Sequence, residues 1–457
     1  MINSPGGLMI SAPRKSSGKT TLTLGISAAL IEQGSKIRVF KKGPDYIDPM
    51  WHRAVTGFPC YNIDSYWMDD EECRDIFIRH GCEADLNIVE GNHGLHDGLD
   101  LSGQNSGAHL AKLLQIPVIL VVDSSGMNRG VAAIVLGHQK MDPDVQFGGV
   151  ILNNVASPRQ AKKQIAAIEH YCGIPVLGTL PRTAEIQIKE RHLGLTTTHE
   201  ISAVKKVVAS IAAIVKENCD LDKIKSAANI LSNAQSSMMG SSVAESPKAR
   251  IAVAYDKSFC FYYEENFNAL RKAGAELVYF DTFSDPQLPE VDGIYIGGGF
   301  PESYLQELED NHRLRNDIKV KINNGMPAYA ECGGLMYLTN SIEREGIKKN
   351  MVGVIPADVL FQKKPVGKGY VELNTFSRKC WFNSSELIKG HEFHYSRLIN
   401  IGSEIEYNYR VRRGTGIDGE FDGIVHKNLL ASYAHIHSSC APDWAKQFVG
   451  AAVGNRV

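Results

Sequence analysis

Short apolar runs alternate with amphipathic stretches along the first half of the chain. Leu22, Ile26 and Leu30 recur every four residues and predict a helix that follows a first strand at Leu8–Ile10. The same alternation predicts further strands at 36–40, 86–89, 117–122 and 149–152. Strands that alternate with helices are typical of a parallel, doubly wound α/β sheet.

A serine-rich segment without clear periodicity, residues 226–249, separates this half from the rest, and we interpret it as a linker. Apolar runs at 250–255, at 293–296 and before Cys332 then predict a second, mostly parallel α/β unit. Residues 369–413 alternate aromatic and polar side chains, which favours antiparallel strands. We therefore expect two α/β domains, at 1–225 and 250–457.

The composition is typical of a soluble globular protein, with 43% hydrophobic residues, 22% charged residues and a net charge of −2. The length of 457 residues suits two domains. The nearly balanced charge disfavours nucleic acid or an anionic membrane as a partner. No apolar run approaches the ~18 residues of a spanning helix, and the first residues lack the features of a signal peptide. Nine cysteines without a Cys-x-x-Cys pair favour a cytoplasmic location.

The segment Ser11–Thr21 lies between the first strand and the first helix, which is the setting of a phosphate-binding loop. Backbone N–H groups at the helix start would bind phosphate oxygens. Lys19 would add charge at the β and γ phosphates, and Thr20 would offer a hydroxyl to Mg²⁺. Pro13 replaces the usual first glycine of the motif, so a plain turn with a surface lysine is the alternative.

Acidic residues follow the next strands of the first domain. Asp45 and Asp48 come after the second strand, and Glu90 and Asp97 come after the third. Because parallel sheets bind ligands at the carboxyl ends of their strands, we expect metal-binding carboxylates here. Asn153, after the fifth strand, is a candidate adenine reader. Each of these residues would also suit a turn or a helix cap.

Cys332 is predicted to lie on a sharp turn between a strand and a helix that begins at Gly333. Such a turn presents a nucleophilic thiol to a substrate and a base, and an inert buried cysteine is the alternative. The glycine run at 297–299 would bring backbone N–H groups to a substrate carbonyl. His435 and His437 are predicted on one face of a late strand, so either is a candidate base.

Several motifs resemble those of a known family, and the resemblance covers nearly the whole chain. The chain resembles the cobyrinic acid a,c-diamide synthases and their siroheme and sirohydrochlorin amidase relatives, in which a replaced first loop glycine is normal. The motifs are Ala12–Pro13 with Ser17–Thr21, Lys42–Pro49, Glu190–Leu195, Gly298–Glu302, Ala330–Gly334, Gly390–Ser396 and Ser432–His437.

This resemblance implies a dethiobiotin-synthetase-like ATPase domain followed by a class I glutamine amidotransferase domain. It implies that ATP and Mg²⁺ phosphorylate a side-chain carboxylate of a tetrapyrrole, and that ammonia from glutamine displaces the phosphate. It also allows a homodimer. The implied roles are nucleophile for Cys332, base for His435, oxyanion donors for Gly299 and Gly333, ATP binding for Ser17, Gly18, Lys19, Thr20, Thr21 and Asn153, metal binding for Thr20, Asp48 and Glu90, and contact with the reacting carboxylate for Asp45, Tyr46 and Asp97.

Two places depart from the family pattern. His437 lies where many class I glutaminases have a glutamate two residues after the base, so a third triad member is absent or comes from elsewhere. Asn92 and His93 replace the usual pair before Gly94 and would lie on the substrate side. A siroheme or nickel-sirohydrochlorin amidase is therefore an alternative to an enzyme that acts on cobyrinate.

Interpretations of other classes compete with this one. His435 and His437 could bind a metal together with His391 or His394, or make structural hydrogen bonds alone. The phosphate loop would also fit a non-catalytic ATPase switch with an appended interaction domain, or a dethiobiotin-synthetase-like carboxylase. Neither would need the thiol site around Cys332, so a glutamine-dependent tetrapyrrole amidase is the leading hypothesis.

Overall fold

The computed structural model describes residues 6–183, 190–191, 194–198, 204–230, 247–377 and 380–454. The chain divides into two compact units, 1–240 and 241–457. Residues 231–246 of the predicted linker, and His192 and Leu193 of the motif at 190–195, lie outside the described residues. Among the described residues we find no helix with the length and hydropathy needed to span a bilayer.

A parallel sheet lies at the centre of the N-terminal unit, as predicted. Its strands are β1 (Gly6–Ser11), β2 (Ile37–Lys42), β3 (Tyr61–Ile63), β4 (Leu86–Glu90), β5 (Val118–Asp123), β6 (Phe147–Val155) and β7 (Val176–Pro181), and three short strands are β8 (Glu190–Arg191), β9 (Gly194–Leu195) and β10 (Asn229–Ile230). The order is β3-β2-β4-β1-β5-β6-β7; β10 pairs antiparallel with β1, and β8 pairs with β9. The apolar runs of β1 and β5 are fully buried, as expected for strands covered on both faces.

Helices connect these strands. They are α1 (Lys19–Glu32), α2 (Ile47–Thr56), α3 (Asp70–Gly81), α4 (Gly107–Leu113), α5 (Val131–Met141), α6 (Pro158–Cys172), α7 (Val204–Asn218) and α8 (Leu221–Ser226). α1 buries Leu22, Ile26 and Leu30, so its predicted apolar face is confirmed. Asp69 and Ser157 cap α3 and α6, because their side chains accept hydrogen bonds from backbone N–H groups of the first turn.

A ten-stranded mixed sheet lies at the centre of the C-terminal unit. The strands of this unit are β11 (Ala249–Ala254), β12 (Phe259–Phe261), β13 (Ala275–Phe280), β14 (Gly293–Ile296), β15 (Gly298–Gly299), β16 (Ala328–Glu331), β17 (Thr339–Arg344), β18 (Ile347–Asn350), β19 (Ile355–Phe361), β20 (Gly367–Thr375), β21 (Ile388–His394), β22 (Ser396–Ile399), β23 (Glu406–Arg413), β24 (Phe421–His426), β25 (Leu429–Ser432) and β26 (His435–Ile436). The order is β13-β11-β14-β16-β25-β24-β23-β20-β21-β26. Across the sheet, the strands from β13 to β25 pair in parallel, and the strands from β25 to β26 pair antiparallel. The antiparallel strands predicted for 369–413 are therefore confirmed.

Two smaller sheets, five α-helices and two 3₁₀ helices, Pro301–Ser303 and Ser438–Cys440, complete the described part of this unit. The sheets are β12-β15 and β18-β17-β19-β22, and the helices are α9 (Glu264–Lys272), α10 (Leu305–Asp310), α11 (His312–Asn323), α12 (Gly333–Leu338) and α13 (Trp444–Gly454). Ala252 and Ala254 of β11 pack into one apolar cluster, whereas Ile251 and Val253 pack into another. This follows because successive side chains of a strand point to opposite faces.

The ends of the predicted linker differ from the expectation. α8 extends to Ser226, β10 adds residues 229–230 to the N-terminal sheet, and β11 begins at Ala249. A strand of two residues leaves no periodic signal in a sequence, which explains why the pattern of apolar positions did not indicate β10.

Candidate functional site

The phosphate loop follows β1 and leads into α1, as predicted. Gly18 has a φ of 98°, a left-handed conformation that glycine adopts without strain. A Cβ atom at Gly18 would lie 2.3 Å from Nδ2 of Asn153, and that amide donates to the Ser17 carbonyl at 3.0 Å. Ser17 Oγ donates to the Arg14 carbonyl at 3.0 Å. Asn153 therefore supports the loop, and its predicted contact with adenine stays a prediction.

Lys19 turns its ammonium back over this loop. Its Nζ donates to the His93 carbonyl at 2.7 Å and to the Arg14 carbonyl at 3.2 Å. Burial, together with the nearby Lys41, lowers the pKa of Lys19 to about 8. Asn92 lies beside the turn after β2, since a Cβ atom at Gly43 would come within 2.8 Å of its Nδ2. The pair that departs from the family pattern thus borders the loop lysine.

The three residues predicted to bind a metal converge beside the loop. Thr20 Oγ1 lies 2.7 Å from Glu90 Oε1 and 3.3 Å from Asp48 Oδ2. Both carboxylates are buried. Thr21, the last residue predicted to bind ATP, is the third residue of α1 and is half-buried.

Lys41 lies among these carboxylates, and the sequence reasoning missed it. Its Nζ lies 2.5 Å from Asp48 Oδ2 and 2.6 Å from Glu90 Oε1. Burial would lower the pKa of Lys41, but Asp48 and Glu90 raise it well above its usual value. Burial likewise opposes ionisation of Glu90, yet Lys41 and His52, whose Nε2 lies 2.8 Å from Glu90 Oε2, hold the pKa of Glu90 well below its usual value. A signal was present in the sequence, because a lysine in a buried strand of a parallel sheet needs a partner charge.

The cluster of Thr20, Asp48 and Glu90 fits Mg²⁺ in the type of its donors. Mg²⁺ binds through one or two carboxylates together with phosphate oxygens and water. The ammonium of Lys41, 2.6 Å from Glu90, shows that a cation is favoured between the two carboxylates. The described residues include no group of three His, Cys, Asp or Glu side chains that could hold a metal ion by themselves. A magnesium ion here would therefore take its remaining ligands from a bound phosphate and from water.

The remaining predicted substrate residues border this cluster. Asp45 caps α2, because its Oδ1 accepts hydrogen bonds from the N–H groups of Ile47 and Asp48 at 3.0 Å. Its Oδ2 lies 3.9 Å from Lys41 Nζ. Asp97 Oδ2 accepts from the Gly94 N–H at 2.9 Å. Tyr46 is buried just before α2. Their contact with a substrate carboxylate stays a prediction.

Cys332 lies on a strained turn between β16 and α12, as predicted. Its φ of 48° and ψ of −101° are uncommon for a residue with a side chain. Its N–H donates to the Ser432 carbonyl at 2.7 Å, which fixes the turn against β25. Cys332 is 6% exposed, and burial, reinforced by the charge of Glu302, raises the pKa of its thiol. The thiol therefore needs a base before it can act as a nucleophile.

Gly299 and Gly333, the predicted oxyanion donors, are close neighbours at this turn. A Cβ atom at Gly333 would lie 3.1 Å from the Gly299 nitrogen. Gly299 has a φ of 154°, and a Cβ atom there would lie 1.9 Å from the Ser258 carbonyl oxygen. The backbone N–H of Gly333 acts against burial and lowers the pKa of the Cys332 thiol, which favours the thiolate. Two backbone donors beside a thiol suit a tetrahedral oxyanion.

His435 and His437 face different surroundings, although strand alternation placed them on one face. β26 ends at Ile436, so the alternation does not reach His437. His435 packs against the glycine run, since a Cβ atom at Gly298 would lie 2.4 Å from its Cε1. His437 Nε2 lies 3.5 Å from Glu265, and its Nδ1 accepts from the Ser439 N–H at 3.2 Å. The geometry therefore favours His435 as the base.

The other histidines near His435 do not support the metal-site alternative, because the described residues hold no cluster of three potential ligands. His394 stacks on Tyr433 with ring centroids 3.9 Å apart. Burial, with contributions from His391 and His394, lowers the pKa of His435 to about 3. The imidazole is therefore neutral near pH 7 and can accept a proton.

Glu331, the residue before Cys332, is a second candidate that the sequence reasoning missed. Its carboxylate is buried and accepts hydrogen bonds from the hydroxyls of Tyr295 and Tyr329 and from the Ile436 N–H, each at 2.9 Å. Its Oε2 lies 3.8 Å from Nδ1 of His435. Burial raises the pKa of Glu331 to about 7. A glutamate at the end of the otherwise uncharged strand Ala328–Glu331 was the available signal.

Comparison with known proteins assigns each unit to a domain family. Residues 8–195 match the CobQ/CobB/MinD/ParA nucleotide binding domain. Residues 250–441 match the CobB/CobQ-like glutamine amidotransferase domain. The expectation of a nucleotide-binding α/β domain followed by a glutamine amidotransferase domain is therefore confirmed.

Curated relatives match nearly the full length of the chain, and each of the following is named cobyrinate a,c-diamide synthase. The protein of Magnetococcus marinus is 42% identical over 96% of this chain and 95% of its own length. The protein of Methanosarcina acetivorans is 40% identical over 97% of this chain and 95% of its own. The protein of Listeria innocua is 38% identical over 97% of this chain and 99% of its own. The chain belongs to the cobyrinate a,c-diamide synthase family.

Proposed function

We propose that this protein is a glutamine-dependent ligase that uses ATP to convert the a and c side-chain carboxylates of cobyrinate to amides, a step of cobalamin biosynthesis. The observation that carries the proposal is the pairing of two sites in one chain. One is a phosphate loop with a buried acidic cluster, and the other is a thiol on a strained turn with a neutral histidine and two backbone donors. Full-length relatives named for this reaction support the choice of substrate.

The chemistry of the C-terminal unit releases ammonia from glutamine. His435 takes the proton of the Cys332 thiol, and the thiolate attacks the side-chain amide carbon. The N–H groups of Gly299 and Gly333 stabilise the oxyanion that forms. Ammonia leaves with a proton from His435, and water then hydrolyses the thioester to glutamate. Ammonia made within a protein stays unprotonated and nucleophilic.

The chemistry of the N-terminal unit activates a carboxylate, which resists nucleophiles until it carries a leaving group. The γ-phosphoryl group of ATP passes to a substrate carboxylate, and ammonia displaces phosphate from the acyl phosphate to give an amide and ADP. Lys19 and the backbone at Ser17–Thr21 hold the phosphates, and Thr20, Asp48 and Glu90 would hold Mg²⁺. A bound Mg²⁺ would offset the charge that develops on the transferring phosphoryl group. Asp45, Tyr46 and Asp97, with Asn92 and His93, border the position of the reacting carboxylate.

The proposal includes a cytoplasmic location, where ATP and glutamine are available. A homodimer stays a prediction. The domain assignment is part of the proposal as well: residues 1–225 perform the ligase step and residues 250–457 the glutaminase step.

Mass spectrometry of reaction products tests the proposal directly. The purified protein is incubated with ATP, Mg²⁺ and glutamine and with cobyrinic acid, siroheme or sirohydrochlorin. We expect two amides on cobyrinic acid, one glutamate released per amide, and none on the other two macrocycles. Amides on siroheme or sirohydrochlorin alone would replace cobyrinate as the substrate. ATP hydrolysis without glutamine consumption would favour the switch, and bicarbonate-dependent hydrolysis would favour the carboxylase.

A further inference from the structure

We propose that Glu331 is the positioning residue of the glutamine site: its carboxylate orients the His435 ring through Nδ1 and stabilises the imidazolium that forms when Cys332 loses its proton. This inference rests on the proposed function, since it assigns a role in glutamine hydrolysis. Glu331 acts through His435 and does not touch glutamine.

The carboxylate of Glu331 is held in place from three directions. Oε1 accepts from the Tyr329 hydroxyl and from the Ile436 N–H, both at 2.9 Å. Oε2 accepts from the Tyr295 hydroxyl at 2.9 Å and faces His435 Nδ1 at 3.8 Å. Three donors of this kind leave the carboxylate little freedom to turn. At 3.8 Å the contact with Nδ1 is longer than a hydrogen bond, and catalytic hydrogen bonds that are long without substrate commonly tighten when substrate binds.

The backbone connection makes the contact specific to the base. Ile436 follows His435 in β26, so the hydrogen bond from its N–H ties Glu331 to the strand that carries the imidazole. Glu331 also directly precedes Cys332 in the sequence. Its side chain therefore connects β16, which leads into the nucleophile, with β26, which carries the base. A carboxylate that served packing alone would not need to face the Nδ1 atom of His435 at 3.8 Å.

A nearby carboxylate also lowers the free energy of proton transfer from Cys332 to His435. Burial raises the pKa of the Cys332 thiol and lowers that of the His435 imidazole. Proton transfer from sulfur to nitrogen is therefore unfavourable unless a negative charge stabilises the imidazolium. In a buried site with few water molecules, a carboxylate at Nδ1 provides that charge effectively.

His437, by contrast, is committed to other partners. Its Nε2 faces Glu265 at 3.5 Å, its Nδ1 accepts from the Ser439 N–H at 3.2 Å, and its ring packs edge-on against Tyr263 with centroids 5.0 Å apart. His435 and His437 are both buried, and each faces a glutamate, of which Glu331 is buried and Glu265 is half-buried. The pair of His437 and Glu265 is a natural control for the pair of His435 and Glu331.

The protons balance when Glu331 stays a carboxylate throughout. The proton of the Cys332 thiol moves to Nε2 of His435 as sulfur bonds to the amide carbon of glutamine. The same proton moves to nitrogen as the carbon–nitrogen bond breaks, so ammonia leaves and a thioester remains. During both steps Nδ1–H donates to Glu331, which selects the tautomer whose Nε2 can accept.

Two matched variants, Glu331→Gln and Glu265→Gln, test the inference in the full-length protein. Glutamine keeps the shape of glutamate and can still accept the hydrogen bonds at Oε1, but it carries no charge. For Glu331→Gln we expect kcat for glutamine hydrolysis to fall about 10²- to 10⁴-fold, the usual contribution of general acid–base catalysis. We expect KM for glutamine and amidation from ammonium chloride to stay near wild type. We expect wild-type activity to rise with pH as Glu331 ionises, and we expect Glu331→Gln to lose this rise. Glu265→Gln should keep kcat within about threefold.

Equal kcat values for the two variants, or loss of ammonia-dependent amidation together with glutaminase activity, would overturn the inference in favour of a structural role. Absence of glutaminase activity from the wild-type protein would instead remove the proposed function. If Glu331→Gln does not fold, proton NMR of the wild-type protein provides the second measurement. A far-downfield imidazole N–H resonance that disappears in His435→Gln supports the contact, and its absence from the wild-type spectrum overturns it.

Discussion

Lys41 and Glu90 are register partners on the neighbouring parallel strands β2 and β4, and their side chains meet with Nζ 2.6 Å from Oε1. The sheet itself therefore sets this ion pair, since both residues come from the carboxyl ends of neighbouring strands, and β4 lies next to β1, which leads into the phosphate loop. A phosphate ligand with its Mg²⁺ ion needs a cation and an anion at fixed positions in the site. Lys41 supplies the cation and Glu90 the anion.

Replacement of Lys41 by methionine should destabilise the N-terminal unit. Removing one partner of a buried ion pair leaves Asp48 and Glu90 facing each other without the ammonium, at a cost of about 3–5 kcal/mol. Thermal or urea unfolding would measure the loss. Added Mg²⁺ should restore part of the stability of Lys41→Met, because a ligand that binds the folded state shifts the equilibrium toward it.

The control for this change is Lys216→Met, which breaks the exposed pair with Glu32. Surface pairs of this kind contribute about 0–1 kcal/mol. Equal stability losses in the two variants would contradict the assignment of Lys41 to a buried cluster. Glutaminase activity, which belongs to the other unit, should persist in both.

Cys332→Ser should abolish glutamine-dependent amidation but leave amidation from high ammonia. A serine hydroxyl is a far weaker nucleophile at neutral pH, whereas ammonia supplied from solution bypasses the thiol. Product formation with each nitrogen donor, measured on the same preparation, separates the two activities. Loss of both would argue against two distinct sites.

Two adjacent glycines after the thiol should respond differently to alanine. A Cβ atom at Gly334 would lie 2.1 Å from the Ile296 carbonyl oxygen, so Gly334→Ala must displace backbone and should destabilise the unit by about 1–3 kcal/mol or more. At Gly333 the nearest contacts are Pro301 Cδ at 3.0 Å and the Gly299 nitrogen at 3.1 Å.

We therefore expect Gly333→Ala to fold but to lose glutaminase activity, because the new methyl group crowds the two oxyanion donors. Melting temperature and kcat, measured side by side, distinguish the variants. A folded, fully active Gly333→Ala would remove Gly299 and Gly333 from the proposed oxyanion site.

Glu331 should make the stability of the C-terminal unit depend on pH. Its folded pKa of about 7 lies above the ordinary glutamate pKa of 4.5, so between these pH values the folded state holds more protons than the unfolded state. Its contribution is therefore full below pH 4.5 and is lost as pH rises through 7, by about 3 kcal/mol in all. The titratable groups that face Glu331 or interact with it are Tyr262, Tyr295, Tyr329, Cys332, Tyr409, His435 and His437.

Chemical unfolding of wild type and Glu331→Gln across this pH range measures the effect as a difference. The buried Asp422, whose pKa burial raises to about 6, and His435, whose pKa lies near 3, also contribute slopes, but they are present in both proteins. A stability difference that does not change between pH 4.5 and 7 would show that Glu331 titrates normally.

The apolar pattern predicted most of the central parallel strands, because fully buried strands need continuous apolar runs, but it did not indicate β3, β7 or β13. It indicated Cys332 and the phosphate loop through their flanking glycines and lysine. It missed Lys41 and Glu331, since a buried charge is recognised by its partners, and those partners come from other strands. It also placed His437 on the face of His435, because the end of β26 after two residues is decided by pairing with β21.

Strand β25 and the two-residue corner after it connect both halves of the glutamine site. Cys332 is hydrogen-bonded to Ser432 at the end of β25, and His435 begins β26 three residues later, with Asp422 accepting from the N–H groups of Tyr433 and Ala434 between them. A displacement of β25 as a rigid element would therefore carry the sulfur and the imidazole together. The distance between nucleophile and base is set by one hydrogen bond and by the short chain segment from Ser432 to His435, so slow breathing of the large sheet should change access to the site more than its internal geometry.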